Sequence, residues 1–298
     1  MTNYIIITGG AGFIGTNLIK LLLKKTKYKI ISIDNYSTGL KDNHVLDKRV
    51  KYLKGHTKNI SILLSRYKKN IQSIFHFGEF ARIYQSFLKL DDCIDSNSIG
   101  THEVIRFCMI NKVKLIYSAT SASLGNNGDD KNLSPYAFTK SKNLEILENF
   151  RKWFNFKFEI IYFYNVYGPN HISKGDMATV IGIFEDAYLK GKSIPVVLPG
   201  TQTRRFTHVS DTVNACYLAW KANKQRHYSI SSKQSLSIIQ IAKLFGKKIA
   251  FMPKRKGERY ASALANMNLT NRVYQIYGKI KITDYIQSFV KKNNSNKN

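Results

Sequence analysis

The sequence predicts an α/β fold, in which a doubly wound parallel sheet forms the N-terminal part and a smaller C-terminal lobe follows it. Short β-branched runs alternate with amphipathic stretches of helix length through the first half of the chain, a pattern typical of βαβ units. After residue 165 the alternation loosens, and Gly168-Pro169 and Pro195 to Gly200 mark turns between shorter elements. We therefore expect one domain over residues 1–165 and a second over 166–298, with segments of the two interleaved.

The individual elements follow from the spacing of apolar residues. The predicted strands are short apolar runs, each followed by a glycine, serine or aspartate that can end a strand: Tyr4–Thr8, Lys29–Ile33, Ile74–Phe77 and Lys114–Tyr117. The predicted helices are the longer stretches in which apolar residues recur every three or four positions: Gly15–Lys25, Asn59–Lys68, Cys93–Ile110, Tyr136–Phe154 and Ser210–Lys221.

Charge is the most unusual feature of the composition. The 298 residues include 47 Lys and Arg against 19 Asp and Glu, which gives a net charge of +28. Such a balance invites a nucleic-acid partner, but the lysines are scattered along the whole chain and do not form one patch. Nucleic-acid binding therefore stays a remote alternative. With 43% hydrophobic residues the chain has ample material for a packed core, which excludes disorder as a description of the whole protein.

Cysteine and histidine usage indicates the compartment and argues against a metal site. Cys93, Cys108 and Cys216 lie far apart and form no CxxC pair, so a reducing compartment, the cytoplasm, is expected. The histidines and cysteines show no metal-ligand spacing, and we expect no metal. His76 lies within a predicted strand, where a packed core histidine is expected. The sequence has no apolar run of 18 residues, so we also expect no membrane span.

A glycine pattern follows the first predicted strand and opens the first predicted helix. Its spacing is G-x-x-G-x-x-G within Thr8–Gly15. Gly9 permits a tight turn, Gly12 lets a pyrophosphate approach the backbone, and Gly15 lets helix and strand pack closely, while the helix N-terminus offers N–H groups to phosphates. Asp34, at the end of the second strand, suits an adenosine ribose and would repel a 2′-phosphate. Together these features predict a Rossmann-type domain that binds NAD in preference to NADP.

A second pattern carries chemistry. Tyr136 and Lys140 are four residues apart, so a helix places the phenol and the ammonium on one face. A phenol with a pKa near 10 is a weak base at neutral pH, but a neighbouring cation favours the phenolate. A hydroxyl-rich stretch, Tyr117 to Ser123, follows the strand just upstream, at the sheet edge where open α/β folds bind ligands. Thr120 or Ser121 beside the phenol would complete a set of groups that moves a proton.

These motifs, with several others in a fixed order, resemble one family across nearly the whole chain. The chain is similar to the extended short-chain dehydrogenase/reductases, in particular to the NAD-dependent nucleotide-sugar epimerases of the UDP-glucose 4-epimerase type. The motifs that carry the resemblance are TGGAGFIG at 8–15, DNYSTG at 34–39, HFGEF at 76–80, NSIGT at 97–101, YAFTK at 136–140, FYNVYGP at 163–169, QTRRFTHVSD at 202–211 and RKGE at 255–258.

The resemblance implies roles for particular residues. The positions that match the family's cofactor contacts are Gly9, Gly12, Phe13, Ile14 and Gly15 for the pyrophosphate, Asp34, Asn35 and Thr38 for the adenosine ribose, and Phe77, Gly78 and Asn97 for loops near the cofactor. The positions that match its catalytic set are Thr120, Tyr136 as the base and Lys140 as its partner. Tyr136 and Lys140 are also expected to contact the cofactor, Lys140 at the nicotinamide ribose. The positions that match its contacts to the sugar nucleotide are Asn165, Arg204, Arg255 and Glu258.

The same resemblance favours one reaction. Dehydratases and decarboxylases of this superfamily carry Asp or Glu directly after the strand-five hydroxyl, whereas Ser121 and Ala122 follow Thr120 here. We therefore expect 4-epimerisation of a nucleotide sugar through a transient 4-keto sugar, with a nucleotide-sugar 4-ketoreductase or another nucleotide-sugar-modifying member as alternatives. Ala263 falls where related enzymes limit the C2 substituent, so N-acetyl sugars are expected to fit. A homodimer through the helices Cys93–Ile110 and Tyr136–Phe154 is also implied.

Overall fold

The computed structural model describes residues 3–123, 130–257 and 273–295. Its strands are β1 (Tyr4–Thr8), β2 (Lys29–Asp34), β3 (Val50–Lys54), β4 (Ile71–His76), β5 (Lys114–Thr120), β6 (Phe158–Phe163), β7 (Val166–Tyr167), β8 (Ile194–Val197), β9 (Thr203–Arg204), β10 (Thr207–His208), β11 (His227–Ser231), β12 (Leu236–Ser237), β13 (Ile249–Met252) and β14 (Val273–Tyr277). Its helices are α1 (Phe13–Lys25), α2 (Ile60–Leu63), α3 (Gln85–Leu88), α4 (Leu90–Ile94), α5 (Thr101–Ile110), α6 (Pro135–Phe154), α7 (Val180–Leu189), α8 (Val209–Ala222), α9 (Ile238–Lys243) and α10 (Ile282–Ser295).

The main sheet confirms the predicted fold class. Among the described residues it has eight parallel strands in the order β14-β11-β6-β5-β4-β1-β2-β3. The chain starts at the middle of the sheet, winds out to β3, returns and winds out the other way. The carboxyl ends of β1 and β4 therefore lie side by side, which creates a crevice for a ligand at this edge.

Alternation along the central strands explains why both faces of the sheet are covered. In β1, Ile6 belongs to one core cluster, whereas Ile5 and Ile7 belong to the cluster on the opposite face, and all three are fully buried. Burying each such side chain contributes roughly 1.5–3 kcal/mol to folding. The alternating isoleucines thus fix β1 at the centre of two helix layers and hold the loop that follows it in place.

Segments from the C-terminal half take two roles. β11 and β14 extend the main sheet beyond β6, and α8 packs beside α1. The remaining short strands form the pairs β7 with β10, β9 with β12 and β8 with β13. They border a separate core that includes Phe184, Phe206 and Phe245. Within the described ranges, none of the helices combines the length and apolarity that a bilayer crossing needs.

The helices depart from the sequence prediction at one place that matters for the site. The segment predicted as a helix over Cys93–Ile110 starts at Leu90 and passes through a π-helical turn, Asp95–Gly100, before α5. The Asn143 side chain donates a hydrogen bond to the Asn97 carbonyl at 2.6 Å inside this turn. A side chain that takes over a helix carbonyl is a common cause of such a turn.

Candidate active site

The glycine loop between β1 and α1 is shaped by close approaches of the backbone. Gly9 has a φ of +71°, and a Cβ atom there would lie 2.8 Å from the backbone of Phe77. A Cβ on Gly15 would lie 2.2 Å from the Gly9 carbonyl oxygen. Gly12 is the N-cap residue of α1, and the first turn of that helix contains no acidic residue. The loop therefore leaves the N-terminus of α1 accessible to an anion.

Asp34 lies beside this loop at the end of β2. Its two carboxylate oxygens accept hydrogen bonds from the backbone N–H of Ala11 at 2.9 Å and of Tyr36 at 2.8 Å. Burial raises the pKa of Asp34, while these two hydrogen bonds oppose the shift. A Cβ on Gly39 would lie 2.7 Å from the carboxylate, so the chain wraps closely around it. Each oxygen keeps acceptor capacity for a further donor such as a ribose hydroxyl.

The other predicted cofactor residues surround the same corner. Asn35 is exposed and its side chain accepts the N–H of Ser37 at 3.1 Å. Thr38, Phe13 and Ile14 are half-buried. These positions, the open N-terminus of α1 and the Asp34 carboxylate fit a dinucleotide, with the pyrophosphate at the loop and the ribose at Asp34.

Lys140 lies in a buried pocket at the neighbouring edge of the sheet. Its ammonium donates hydrogen bonds to the Glu79 carboxylate and to the Ser118 carbonyl, and it lies 4.5 Å from the centre of the Tyr117 ring. The side chains of Lys140 and Glu79 are 5% and 3% exposed. Burial lowers the pKa of Lys140, and the Glu79 carboxylate opposes the shift. The ammonium is therefore fixed in place by three partners.

A chain of hydrogen bonds links the glycine corner to this pocket. The Thr8 hydroxyl accepts the backbone N–H groups of residues 77–78 at 3.1 and 3.0 Å, so its own proton goes to His76 Nδ1, 2.7 Å away. His76 Nε2 then donates to the Thr101 hydroxyl at 2.9 Å, which donates to Glu79 at 3.0 Å. Burial lowers the pKa of His76 to about 4, which keeps the ring neutral. His76 is thus a buried structural histidine.

Phe77, Gly78 and Asn97, which were expected near the cofactor, lie in or against the loop that follows β4. Phe77 and Gly78 are half-buried beside the glycine loop. Asn97 is fully buried, and its amide accepts the N–H of Phe80 at 2.7 Å and donates to the Phe80 carbonyl at 3.1 Å and to Thr139 at 3.2 Å. Asn97 therefore fastens this loop to α6.

Tyr136 lies at the N-terminus of α6, and Thr120 lies at the carboxyl end of β5. Tyr136 is in the first turn of α6, where the Ser134 hydroxyl caps the helix by accepting the N–H of Ala137 at 3.1 Å. The backbone N–H of Tyr136 donates to the Ser86 hydroxyl at 3.2 Å. Thr120 is the last residue of β5 and is 8% exposed. The buried turn 121–123 that follows it, which includes Ser121, packs against α6.

The residues predicted to hold the sugar nucleotide are spread over the C-terminal half. The Asn165 side chain donates to the Arg205 carbonyl at 3.0 Å, which ties the chain after β6 to the start of β10. Arg204 is buried and donates to the Thr203 carbonyl at 2.8 Å. Arg255 is exposed, with its guanidinium 5.6 Å from the centre of the Tyr84 ring. Glu258 and Ala263 lie outside the described residues.

The structure adds residues that the sequence analysis did not single out. Glu79 and Asn143 line the Lys140 pocket. Arg82 donates from Nε and Nη2 to the Met177 carbonyl at 2.9 and 2.6 Å, and its charge interacts with Tyr136. The one signal in the sequence is that Glu79 and Arg82 are the acidic and basic side chains within the mostly apolar stretch 74–83. Across the described part of the chain, no group of three His, Cys, Asp or Glu residues is arranged to hold a metal ion.

This chain is similar in sequence and in fold to several known proteins. A Methanocaldococcus jannaschii protein, provisionally named UDP-glucose 4-epimerase, is 26% identical over 289 residues, covering 93% of this chain and 90% of that protein. The UDP-glucose 4-epimerase of Thermotoga maritima, solved with UDP-glucose, has a TM-score of 0.83 at 22% identity and covers 99% of this chain and 100% of its own. The UDP-N-acetylglucosamine 4-epimerase of Methanobrevibacter ruminantium has a TM-score of 0.84 at 23% identity, with coverage of 99% and 100%.

The sequence profile of the NAD dependent epimerase/dehydratase family matches residues 5–231, most of the chain. The matched range contains the glycine loop, Asp34 and the Lys140 pocket, and the family's cofactor, NAD, agrees with the dinucleotide corner described above. The chain belongs to the NAD dependent epimerase/dehydratase family.

Proposed function

We propose that this protein catalyses the 4-epimerisation of a nucleotide sugar of the UDP-glucose and UDP-galactose type, including the N-acetyl forms. The observation that carries the proposal is the placement of Tyr136 and Lys140 on one helix, α6, which packs against the turn following Thr120. This set lies at the same sheet edge as the glycine loop. A sugar bound between them would have its C4 hydroxyl near a base and its C4 hydrogen near the dinucleotide corner.

The proposed proton transfer uses three side chains. Tyr136 as the phenolate accepts the proton of the C4 hydroxyl, and Thr120 donates or accepts a hydrogen bond that orients this hydroxyl. The Lys140 ammonium stabilises the phenolate, because an opposite charge nearby favours the charged form. NAD, when bound, supplies the chemistry of hydride removal and return at C4. Tyr136 then gives the proton back to the oxygen of the 4-keto sugar after the sugar has turned its other face to the cofactor.

The sugar nucleotide is proposed to bind through residues of the C-terminal half. Arg204 and Arg255 are suited to the diphosphate and nucleotide, because a guanidinium offers paired donors to phosphate oxygens. Asn165 lies between β6 and β7, just after the end of a strand of the main sheet, and is proposed to touch the diphosphate. Glu258 is proposed to reach the nucleotide ribose, and Ala263 to leave room for an N-acetyl group. The division into residues 1–165 and 166–298, with interleaved segments, is proposed on the same basis.

The similar proteins support the substrate class. The proteins from M. jannaschii and T. maritima carry the name UDP-glucose 4-epimerase, and that from M. ruminantium is a UDP-N-acetylglucosamine 4-epimerase. Two further solved structures of the same fold are dTDP-glucose 4,6-dehydratases, with TM-scores of 0.84 and 0.82. Two observations argue against a dehydratase. Ser121 and Ala122, and no acidic residue, follow Thr120. The oxygens of the nearby carboxylate Glu79 accept hydrogen bonds from Lys140, Tyr117 and Thr101.

The experiment is a substrate panel followed by NMR identification of the products. Purified protein is incubated with UDP-, GDP-, CDP- and ADP-sugars without added reduced cofactor. We expect UDP-glucose and UDP-galactose to interconvert, and UDP-N-acetylglucosamine to give its 4-epimer. Turnover that requires stoichiometric reduced cofactor would contradict epimerisation and favour the 4-ketoreductase. Rejection of the N-acetyl sugar alone would remove the role proposed for Ala263.

A homodimer and a cytoplasmic location complete the proposal. Exposed apolar side chains on the two helical segments expected to form the interface support the first: Leu90, Ile94, Ile99, Phe138 and Phe154. Sedimentation should give twice the chain mass of 34.2 kDa, and Ile94→Lys should give the monomer mass. A monomeric wild-type protein would contradict the proposed homodimer.

The free, buried thiols Cys93, Cys108 and Cys216 support a reducing compartment, which fractionation of the source cells would test.

A further inference from the structure

Glu79 is a buried carboxylate that the proposed reaction does not use. Its side chain is 3% exposed and follows β4 into the interior. Its partners within the described part of the chain are side chains from α5, β5 and α6: Thr101 at 3.0 Å, Tyr117 at 3.0 Å, Ser118 and Asn143 at 3.4 Å, and Lys140. All of these groups can donate a hydrogen bond, and one is a cation. Such surroundings fit an ionised carboxylate.

A second buried pair, Lys114 with Glu159, provides a comparison. Glu159 accepts the backbone N–H groups of Gln225 and Arg226 at 2.9 and 2.8 Å, and Lys114 Nζ lies 3.0 Å away. These two backbone hydrogen bonds hold the Glu159 carboxylate in place whether Lys114 is protonated or neutral. Glu79 is instead held by side chains grouped around one ammonium, so its position and that of Lys140 depend on each other.

The charge of Lys140 depends on Glu79. A buried ammonium without a counter-charge loses its proton readily, because burial disfavours the charged form. Burial alone lowers the pKa of Lys140, and the Glu79 carboxylate is the main group that opposes this shift. Removing the carboxylate while leaving the lysine would therefore favour the neutral amine.

The position of Lys140 assigns acceptors to two of the three N–H groups of its ammonium. An ammonium has three N–H groups, and Lys140 directs two of them to Glu79 and to the Ser118 carbonyl. The Tyr117 ring covers the ammonium from a third side at 4.5 Å. Among the described residues, these contacts leave the third N–H group for a further acceptor.

We propose that Glu79 is a positioning residue that keeps Lys140 charged and aimed, and that it thereby sets the upper pH limit of activity; this rests on the proposed function of Tyr136 and Lys140. A role in proton transfer to the sugar is not part of the proposal. Glu79 acts through Lys140.

The other titratable groups around this pair do not change charge in the working range. His76, at the end of β4, has its pKa lowered to about 4 by burial. Cys93, from α4, has its pKa raised to about 11 by burial. Tyr117, from β5, has its pKa raised well above 10 by burial and by Glu79. Tyr136, on α6, is the proposed base, so its protonation would reduce activity toward acidic pH. A loss of activity toward alkaline pH therefore reports loss of the Lys140 proton.

The test compares Glu79→Gln with Glu159→Gln over the pH range of activity. Glu79→Gln keeps the shape and a hydrogen-bond acceptor but removes the charge. We expect the alkaline midpoint of kcat to fall by at least about one pH unit, which corresponds to about a tenfold larger loss above that midpoint than in wild type. Glu159→Gln should lower stability but leave the midpoint within about 0.3 unit. An unchanged midpoint in Glu79→Gln, or an equal shift in both variants, would overturn the proposal.

Stability provides a readout that needs no activity. In Glu79→Gln the lone ammonium is costly while it stays protonated, and its folded-state pKa is depressed further. The loss in Tm relative to wild type should therefore be largest near pH 7 and shrink as the pH rises through 10.5, the ordinary pKa of lysine, above which the amine is neutral in both the folded and the unfolded state. The double variant Glu79→Gln/Lys140→Met should regain stability at pH 7.

These measurements separate failure of this inference from failure of the proposed function. If Glu79→Gln does not fold, recovery of folding by Lys140→Met in the same chain supports the proposal, and no recovery contradicts it. If the wild-type protein lacks epimerase activity, the proposed function fails, while the Tm comparison still tests whether Glu79 holds the charge of Lys140.

Discussion

The glycine corner and the Lys140 pocket lie on the same edge of one sheet but are built differently. The glycine corner is made by backbone: close approaches at Gly9 and Gly15 and N–H groups that bind Asp34. The pocket is made by side chains from β5, α5, α6 and the loop after β4, which meet around one ammonium. The glycine corner therefore depends on steric fit, whereas the Lys140 pocket depends on charge. Substitutions should therefore damage the two regions through different measurable quantities.

The largest expected effect is in the side-chain region. Tyr136→Phe removes the proposed base, and we expect kcat to fall about 10³-fold, within the range typical of general base catalysis. NAD affinity should change little, because the phenyl ring retains the packing of the side chain. Steady-state kinetics and a cofactor titration measure both quantities. Tyr274→Phe, at an exposed position, is the control. Activity near the wild-type level would remove Tyr136 from the mechanism.

The next largest effect is in the backbone region. Gly9→Ala adds a side chain to a residue whose backbone is left-handed and places its Cβ 2.8 Å from the backbone of Phe77. We expect NAD affinity to fall about 100-fold, because the loop must move to relieve the contact, and stability to fall by more than the strain of about 1 kcal/mol.

Gly191→Ala is the matched control for that substitution. Gly191 has a φ of +66°, close to that of Gly9, but no atom lies within 4 Å of the added Cβ. This variant should therefore lose about 1 kcal/mol of stability, from backbone strain alone, and keep its NAD affinity. Calorimetric titration with NAD distinguishes the two, and equal NAD affinities would show that the close approach at Gly9 is not needed.

The smallest expected effect tests the ribose contact. Asp34→Asn keeps the shape of the side chain and removes its charge, so we expect NAD affinity to fall about tenfold and discrimination against NADP to weaken. Because burial raises the pKa of Asp34, wild-type NAD affinity should also decline on acidification at a pH above the ordinary aspartate value of 3.8, and the variant should lose this dependence. Asp47→Asn, beside Arg49, is the control. Unchanged NADP discrimination would contradict the assignment.

The backbone-built features of the molecule could be predicted from the sequence. The range of β1, the start of β5, the end of α1 and the glycine loop follow from residues adjacent in the chain, because turn geometry and apolar alternation are local. Tyr136 and Lys140 share a helix face for the same reason. β5 runs three residues beyond its predicted end, to Thr120, and α1 begins two residues before its predicted start, at Phe13. The parallel, doubly wound character of the sheet follows from the βαβ alternation. The family resemblance singled out Thr120 from the hydroxyl-rich stretch and supplied Asn165.

The Lys140 pocket could not be predicted in this way. Glu79 and Lys140 are 61 residues apart, and their contact requires the loop after β4 to turn inward against α6. The π-helical turn at Asp95–Gly100 has a similar origin, since the Asn143 side chain that binds the Asn97 carbonyl comes from another helix. A local pattern shows neither contact. The net charge of +28 is also only partly explained, because few of its cations lie at the site.

In the proposed reaction, hydride leaves and returns to the same sugar carbon while Tyr136 moves the proton. The decisive measurement is to incubate the protein with UDP-glucose deuterated at C4, with no added reduced cofactor. We expect UDP-galactose that retains deuterium at C4, observed by NMR and mass spectrometry. Loss of the deuterium to solvent, or its appearance in released cofactor, would contradict this mechanism.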